Sequence, residues 1–319
     1  MKINVIDKLI CINHTYKTKL SIESFLEEND DCVEGILNCK RCGSKFPIIG
    51  GVAIIVENFS QYATERIETF GRWILDSKSP ELRTFLKEEG MRLIGSRVVK
   101  NRYEEDDLFR PYLWTHYDYS LEDRFLSMLR WKIKPDEIYR KAANLTENNI
   151  YKVGLDVGCC VGSASLMMGG KFSFVFGIDS SFSFVTESRR RMKEKDIRNV
   201  EFLVCDSSKM PFELHFFDVI LALNIIGKVD LEETILSFNR LIKLNGKLLI
   251  ADPYDRNKEQ IKSDIDPTKL RRVLEKSGYE ITIKNKKNES FIPWIIKVND
   301  RCYLFYFLDF IEAKRIKRT

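Results

Sequence analysis

From residue 148 onward, short apolar runs alternate with stretches of helical length. KVGLDV, FSFVFGID, VEFLVCD, FDVILALN and KLLIAD read as strands with helices between them, the order of a parallel, doubly wound α/β sheet. Two more strands, near FIPWIIKV and CYLFYFLDFI, follow with no helix-length segment between them. They predict a closing antiparallel hairpin and a sheet of seven strands. Between 59 and 147 the pattern turns helical: Ile67, Phe70, Ile74 and Leu75 keep helical spacing, as do Phe125, Leu126, Met128 and Leu129. Residues 1–58 look different again. The run ILNCKRCGSKFPIIGGVAIIV reads as strand, cysteine turn, strand, a turn at Gly50 and Gly51, and strand. The expected organisation is a small N-terminal domain (1–58), a helical linker or cap (59–147) and a large α/β domain (148–319), without repeats or low-complexity tracts.

Composition narrows the class. At 319 residues, 44% hydrophobic and 31% charged, the chain suits globular packing. It has no run of eighteen apolar residues to span a bilayer, and its start lacks the long apolar stretch and small-residue cleavage site of a signal peptide. The net charge of +5 is too small by itself to argue for nucleic acid, and the tail residues Lys314, Arg315, Lys317 and Arg318 read as a solvated end. Of eight cysteines, Cys11, Cys32, Cys39 and Cys42 fall in the first 42 residues, Cys159 and Cys160 adjoin a glycine turn, and Cys205 and Cys302 lie at strand ends. That distribution points to a cytoplasmic, reducing environment with an N-terminal metal site, not to a disulfide framework.

Cys11-x-x-His14 and Cys39-x-x-Cys42 are two tight pairs, each able to present two ligands from one turn. Together they complete a tetrahedron of nitrogen and sulfur around zinc with no open position, which makes the expected site structural. A stretch this short depends on metal for much of its stability. Two alternatives stay open: Cys32 as the fourth ligand in place of His14, or Cys39 and Cys42 as the pair that matters. Leu37, Cys39, Cys42, Gly43, Phe46, Pro47, Ile48, Gly51 and Val52 resemble the zinc-ribbon proteins that activate transfer-RNA and protein methyltransferases. His14 stands where most members have cysteine.

GLDVGCCVG places Asp156, Gly158 and Gly162 between an apolar strand and a helix. Glycines allow close backbone approach, and a helix start offers free N–H groups. The pattern D-x-G-x-x-x-G differs from the pyrophosphate-binding fingerprint. An acid at the end of the next strand, Asp179, is placed for a ribose diol, and Asp206, after the third, for an adenine amino group. Residues 150–252 resemble class I S-adenosylmethionine-dependent methyltransferases, including LIKLNGKLLIADPY with Asn245 and Gly246 at a turn where that family has Gly-Gly. The resemblance implies that Asp156 lies near the cofactor's amino group and that Gly158, Cys159 and Gly162 belong to the loop beneath it. Asp179 and Ser180 would attend the ribose, and Cys205, Asp206 and Ser207 the adenine.

The fourth strand delivers Asn224, which is followed by Ile225 and Ile226 and not by the N-P-P-Y motif of base and glutamine N-methyltransferases. Leu155 to Gly162, Phe174, Gly177 to Ser180, Phe184, Leu223, Asn224, Ile226 and Asp252 to Tyr254 resemble enzymes that methylate an imidazole ring, such as the ovothiol-biosynthesis methyltransferase domain. Gly227 and Lys228 depart from that pattern. By this reading Asn224 accepts the ring N–H and fixes the tautomer. His116 and Tyr117, with Tyr119 and Trp114 in PYLWTHYDYSLEDRF, are candidate catalytic or capping residues, and Trp294, Tyr303 and Tyr306 candidate substrate-side aromatics. His215 reads as a surface residue. The expected activity is methylation of a small-molecule or peptide nitrogen. The alternatives are a transfer- or ribosomal-RNA methyltransferase docking through its ribbon, which the acidic run SIESFLEENDDCVEG disfavours, and a silent cofactor-binding scaffold.

Overall fold

The structure, a computed structural model, describes residues 1–14, 18–93, 106–119, 134–144, 153–254, 265–282 and 291–317. The helical pattern around Phe125 to Leu129 and the tail residue Arg318 lie outside them.

Five parallel strands form the centre: β5 (Val153–Val157), β6 (Phe174–Asp179), β7 (Val200–Cys205), β8 (Phe217–Leu223) and β9 (Ile242–Asp252), in the spatial order β7-β6-β5-β8-β9. They are apolar along their length because both faces are covered. Leu155, Phe176, Leu203, Ile220 and Leu248 point into one core layer. Their sequence neighbours Val175, Phe202, Val204, Val219, Leu221 and Leu249 point into the other. β12 (Cys302–Arg315) lies antiparallel to β9, and β10 (Tyr279–Ile281) antiparallel to β12. The expected closing hairpin is β11 (Phe291–Asn299) with β12, turned where the Arg301 N–H donates to Asn299 Oδ1 at 2.9 Å.

Where seven strands are expected, the described residues form one sheet of twelve. β1 (Ser21–Glu28), β2 (Asp31–Asn38), β3 (Lys45–Ile49) and β4 (Val52–Ile55) form an antiparallel meander. Its last strand runs parallel beside β7, matching Ala53 with Leu203, Ile54 with Val204 and Ile55 with Cys205. An apolar strand of four buried residues satisfies the backbone groups that β7 would otherwise leave at an edge.

Helices α1 (Phe59–Thr64), α2 (Ile67–Asp76) and α3 (Pro80–Arg92) pack together through Phe59, Phe70, Trp73 and Phe85. The buried face of α2 carries Phe70 and Trp73, whereas Leu75 is 80% exposed, so the expected apolar stripe is turned by one position. Helix α4 (Asp106–Leu113) runs into a π-helical turn at Trp114–Asp118. Helices α5 (Glu137–Asn144), α6 (Ser163–Gly169) and α7 (Phe182–Glu194) cover the sheet, and α8 (Leu231–Leu241) and α9 (Pro267–Lys276) follow. Arg315 corrects the reading of a solvated tail. It ends β12 and is 2% exposed, donating from its guanidinium to the Ile242 carbonyl at 2.6 Å and the Lys317 carbonyl at 3.2 Å. His215 is exposed as expected, with Nδ1 2.9 Å from Arg315.

Candidate functional site

The C-terminal ends of β5, β6, β7 and β8 open on a cavity of about 280 Å³, where ligands bind in open α/β sheets. After β5 the chain turns sharply, with Gly158 at φ +72° and Gly162 at φ +82°, conformations that favour glycine. The Gly158 and Cys159 N–H groups both donate to the Ile178 carbonyl at 2.9 Å, which ties the loop to β6. Asp179, ending β6, accepts from the Cys160 N–H and the Ser181 N–H at 2.9 Å each. Asp206, past β7, accepts from the Ser208 N–H and hydroxyl at 2.7 Å. Asp156 is buried and accepts from the Ser165 hydroxyl at 2.6 Å. Burial pushes its carboxyl up to about 6, with the nearby Asp179 charge adding.

At the other end the lining changes to Tyr112, His116, Tyr139, Phe184, Asn224 and Lys228. Asn224 sits at φ +61°, pinned by its N–H to the Ala251 carbonyl at 2.7 Å, and its side-chain Oδ1 is buried without a partner. His116 is buried, stacks on Tyr139 with ring centroids 4.0 Å apart, and has no partner for either nitrogen. Burial brings its pKa down to about 3, with Arg191 adding, so the ring is neutral near pH 7. Lys228 donates to the Tyr112 hydroxyl at 3.1 Å. Behind this end, Asp252 accepts from the Gly227 N–H at 3.2 Å and the Tyr254 N–H at 2.7 Å.

Asp156, Gly158, Cys159, Asp179, Ser180, Cys205, Asp206, Ser207 and Asn224 all line this cavity. Gly162 does not. It caps α6, where an added Cβ would come within 2.9 Å of Phe202 and Ser188. His116 reaches the cavity but Tyr117 does not: its hydroxyl donates to the Val161 carbonyl at 2.9 Å, and its ring lies under Arg191 at 3.8 Å. Trp114 packs against Tyr119 and Tyr303. Trp294 stands behind the lining, donating to the Tyr139 hydroxyl at 3.2 Å and packing on Tyr306. Tyr112 and Tyr139 went unread in the sequence. Tyr112 had a signal, since it lies four residues before His116 and shares its helical face.

A second cluster forms where the β2–β3 turn meets the N-terminal segment. The ligand atoms of Cys11, His14, Cys39 and Cys42 lie within 4.8 Å of one another. His14 Nε2 is buried and has no hydrogen-bond partner, and three thiols with an imidazole are a soft donor set, so these residues fit zinc. Cys32 stands apart, donating to the Glu34 carbonyl at 3.3 Å.

Residues 151–289 match the model of a family described as a methyltransferase domain. Over that stretch, less than half of its length, the chain carries a methyltransferase domain. Demethylmenaquinone methyltransferase of Listeria welshimeri is 29% identical to it over 107 residues, 32% of this chain and 45% of that protein. The ubiquinone/menaquinone biosynthesis C-methyltransferase of a Shewanella species is 28% identical over 120 residues, 37% and 47% of the two chains. The chain thus spans about half the length of the curated relatives it matches. Among solved structures, the YcgJ protein of Bacillus subtilis aligns with a TM-score of 0.47 at 14% identity, covering 57% of this chain and 99% of that one. Magnesium protoporphyrin IX methyltransferase of Synechocystis aligns with a TM-score of 0.47 at 16% identity, covering 67% and 93%. Among the described residues, no helix of the methyltransferase domain or its flanks is long and apolar enough to cross a membrane.

Proposed function

We propose that the chain transfers a methyl group from S-adenosylmethionine to a nitrogen of a small molecule or peptide, with an imidazole as the acceptor that fits best. The observation that carries this reading is one cavity lined both by Asp156, Asp179 and Asp206 and by two residues with buried, unpartnered groups, the Asn224 Oδ1 and the His116 ring. Asp179 would accept from the ribose hydroxyls, Asp206 with Ser207 would face the adenine, and Asp156 would attend the amino-acid end. When bound, S-adenosylmethionine supplies a methyl carbon that an acceptor lone pair attacks as the carbon–sulfur bond breaks. Asn224 Oδ1 would take the acceptor's N–H, which leaves the opposite ring nitrogen's lone pair free for the methyl. Neutral His116 would offer one further donor or acceptor, and Tyr112, Tyr139 and Phe184 would exclude water. Rate would come mainly from in-line positioning. The N-terminal cluster would hold a structural zinc through Cys11, His14, Cys39 and Cys42.

Calorimetry with S-adenosylhomocysteine tests the cofactor half. Asp179→Ala should weaken binding by about 2–3 kcal/mol, the scale of a lost charge-assisted hydrogen bond, and unchanged affinity refutes the assignment. Asn224→Ala should bind the cofactor product normally and turn over histidine-containing compounds about 10²-fold more slowly. Parallel loss of both properties assigns Asn224 to the cofactor alone.

A further inference from the structure

We infer that the Cys/His cluster acts as a clamp on the adenine side of the cofactor cavity, so that metal and cofactor strengthen each other's binding. The inference rests on the zinc and S-adenosylmethionine readings above. It starts from how the stretch 205–212 is held. At its beginning, Cys205 pairs with Ile55 of β4, the strand that joins the N-terminal meander to the methyltransferase sheet. At its end, the Ile10 N–H donates to the Pro211 carbonyl at 3.0 Å, and Leu9 bridges Phe212. Asp206 and Ser207, which line the cavity, lie between these two grips. Lys209 in the same stretch pairs with Glu57, just past β4, at 2.6 Å.

The two grips belong to different halves of the cluster. Cys39 and Cys42 close the β2–β3 hairpin, whose register runs from Asn38 opposite Lys45 through β3 to β4 and so to Cys205. Cys11 is one residue from Ile10 and therefore moves with the Pro211–Phe212 contact. Away from the cluster the N-terminal segment is tied to β2 through Met1, which exchanges backbone hydrogen bonds with Cys32 at 2.8 Å. At the cluster itself the halves meet through the Cys11 and Cys42 sulfurs, 3.8 Å apart, and an Asn13 side-chain donation to the Ser44 hydroxyl at 2.8 Å. A metal bound by all four residues would add a fixed distance at the cluster end of that seam and hold 205–212 from both ends. Because binding free energies are reciprocal, whatever factor the metal adds to cofactor affinity the cofactor must add to metal affinity.

The test uses the full chain, zinc-loaded and chelator-stripped, with S-adenosylhomocysteine as probe and far-ultraviolet dichroism to confirm that the stripped form is folded. Stripping should weaken S-adenosylhomocysteine binding about tenfold, within the usual span of coupling between sites. Saturating S-adenosylhomocysteine should raise zinc affinity by the same factor in competition with a chromogenic chelator. Ile10→Pro provides a second route that keeps the metal. It deletes the N–H to Pro211, and the preceding Leu9 is already extended at φ −95°, ψ 138°, as a residue before proline requires. This variant should retain one zinc per chain and still bind S-adenosylhomocysteine several-fold more weakly. A folded, stripped protein that binds the probe within twofold of the loaded one overturns the clamp and leaves the cofactor reading standing. If stripping unfolds the chain, Ile10→Pro decides, and wild-type affinity there overturns the clamp. Loaded protein that takes up no zinc, or binds no S-adenosylhomocysteine, overturns the corresponding reading and the clamp with it.

Discussion

Asp156 is a carboxyl whose burial works against its charge. With its pKa raised from 3.8 to about 6, the folded state holds the proton more tightly than the unfolded chain does. Its contribution to stability is therefore fully present below about 3.8 and is lost as pH rises through about 6. Cofactor binding should run the other way, because an ammonium group is attracted to the ionised form. Affinity for S-adenosylhomocysteine is expected to climb with pH up to about 6, by at most about tenfold per unit, and then level off. Calorimetry from pH 5 to 8 on the wild type and Asp156→Asn checks this, since the amide should show a flatter profile and weaker binding. His116 has the opposite sign: its depressed pKa gives stability that is present above about 6.5 and lost as pH falls towards 3. At this scale the acids were legible in the sequence, because each follows an apolar run and a strand end has one place to put its side chain. Tyr117 was not, since neighbours on a helix point about a third of a turn apart. His116 faces the cavity, whereas Tyr117 faces Arg191.

Among the elements, the turn from β5 to α6 is the most constrained. A Cβ on Gly158 would come within 2.1 Å of Ile225 Cγ2, at a backbone φ of +72°. Gly158→Ala is expected to cost about 2–4 kcal/mol, combining left-handed strain with the clash, and to displace the segment that carries Asn224. Gly50, at φ +57° with open space around it, isolates the strain alone. Gly50→Ala should therefore cost only about 1–2 kcal/mol. Urea unfolding of the two variants gives the comparison, and equal losses would show that Ile225 yields freely. The five parallel strands and the closing hairpin were legible because apolar runs of strand length have few other uses. β10 has three residues, too few to make a pattern, and β1, SIESFLEE, carries three glutamates in eight residues and is partly exposed. The shift of one position in α2 followed from Trp73, whose bulk fills the space beside Phe59 and Phe182.

The N-terminal meander and the parallel sheet are joined by charge as well as by backbone. Arg189 of α7, with a side chain 4% exposed, bridges Asp31 of β2 at 3.0 Å and also pairs with the fully buried Glu201 of β7. Arg189→Met would remove the guanidinium between the two carboxylates, leaving Asp31 with Lys193 at 3.7 Å and Glu201 with the Lys2 backbone N–H at 2.8 Å. That should cost about 3–5 kcal/mol, as when one partner of a buried pair is removed. Adding Glu201→Gln should recover part of the loss, and thermal unfolding of the single and double variants measures it. The pattern of apolar positions divided the chain into three stretches. It had no means of showing that residues 53–55 and 203–205 are neighbours, because strand pairing leaves no mark on local periodicity.

The same pairing moves the border of the sheet. Without the meander, β7 would present a row of unsatisfied N–H and C=O groups lined by Val200, Phe202 and Val204, an inviting template for a stray strand from another molecule. With it, the border on that side becomes β1, where Glu23, Glu27 and Glu28 are exposed and the register shifts between Ser24 and Glu27. An approaching strand meets carboxylates and an irregular ladder in place of a straight apolar one. The meander thus gives the sheet a border that disfavours self-association, and chains that lose it should aggregate before they lose their parallel core.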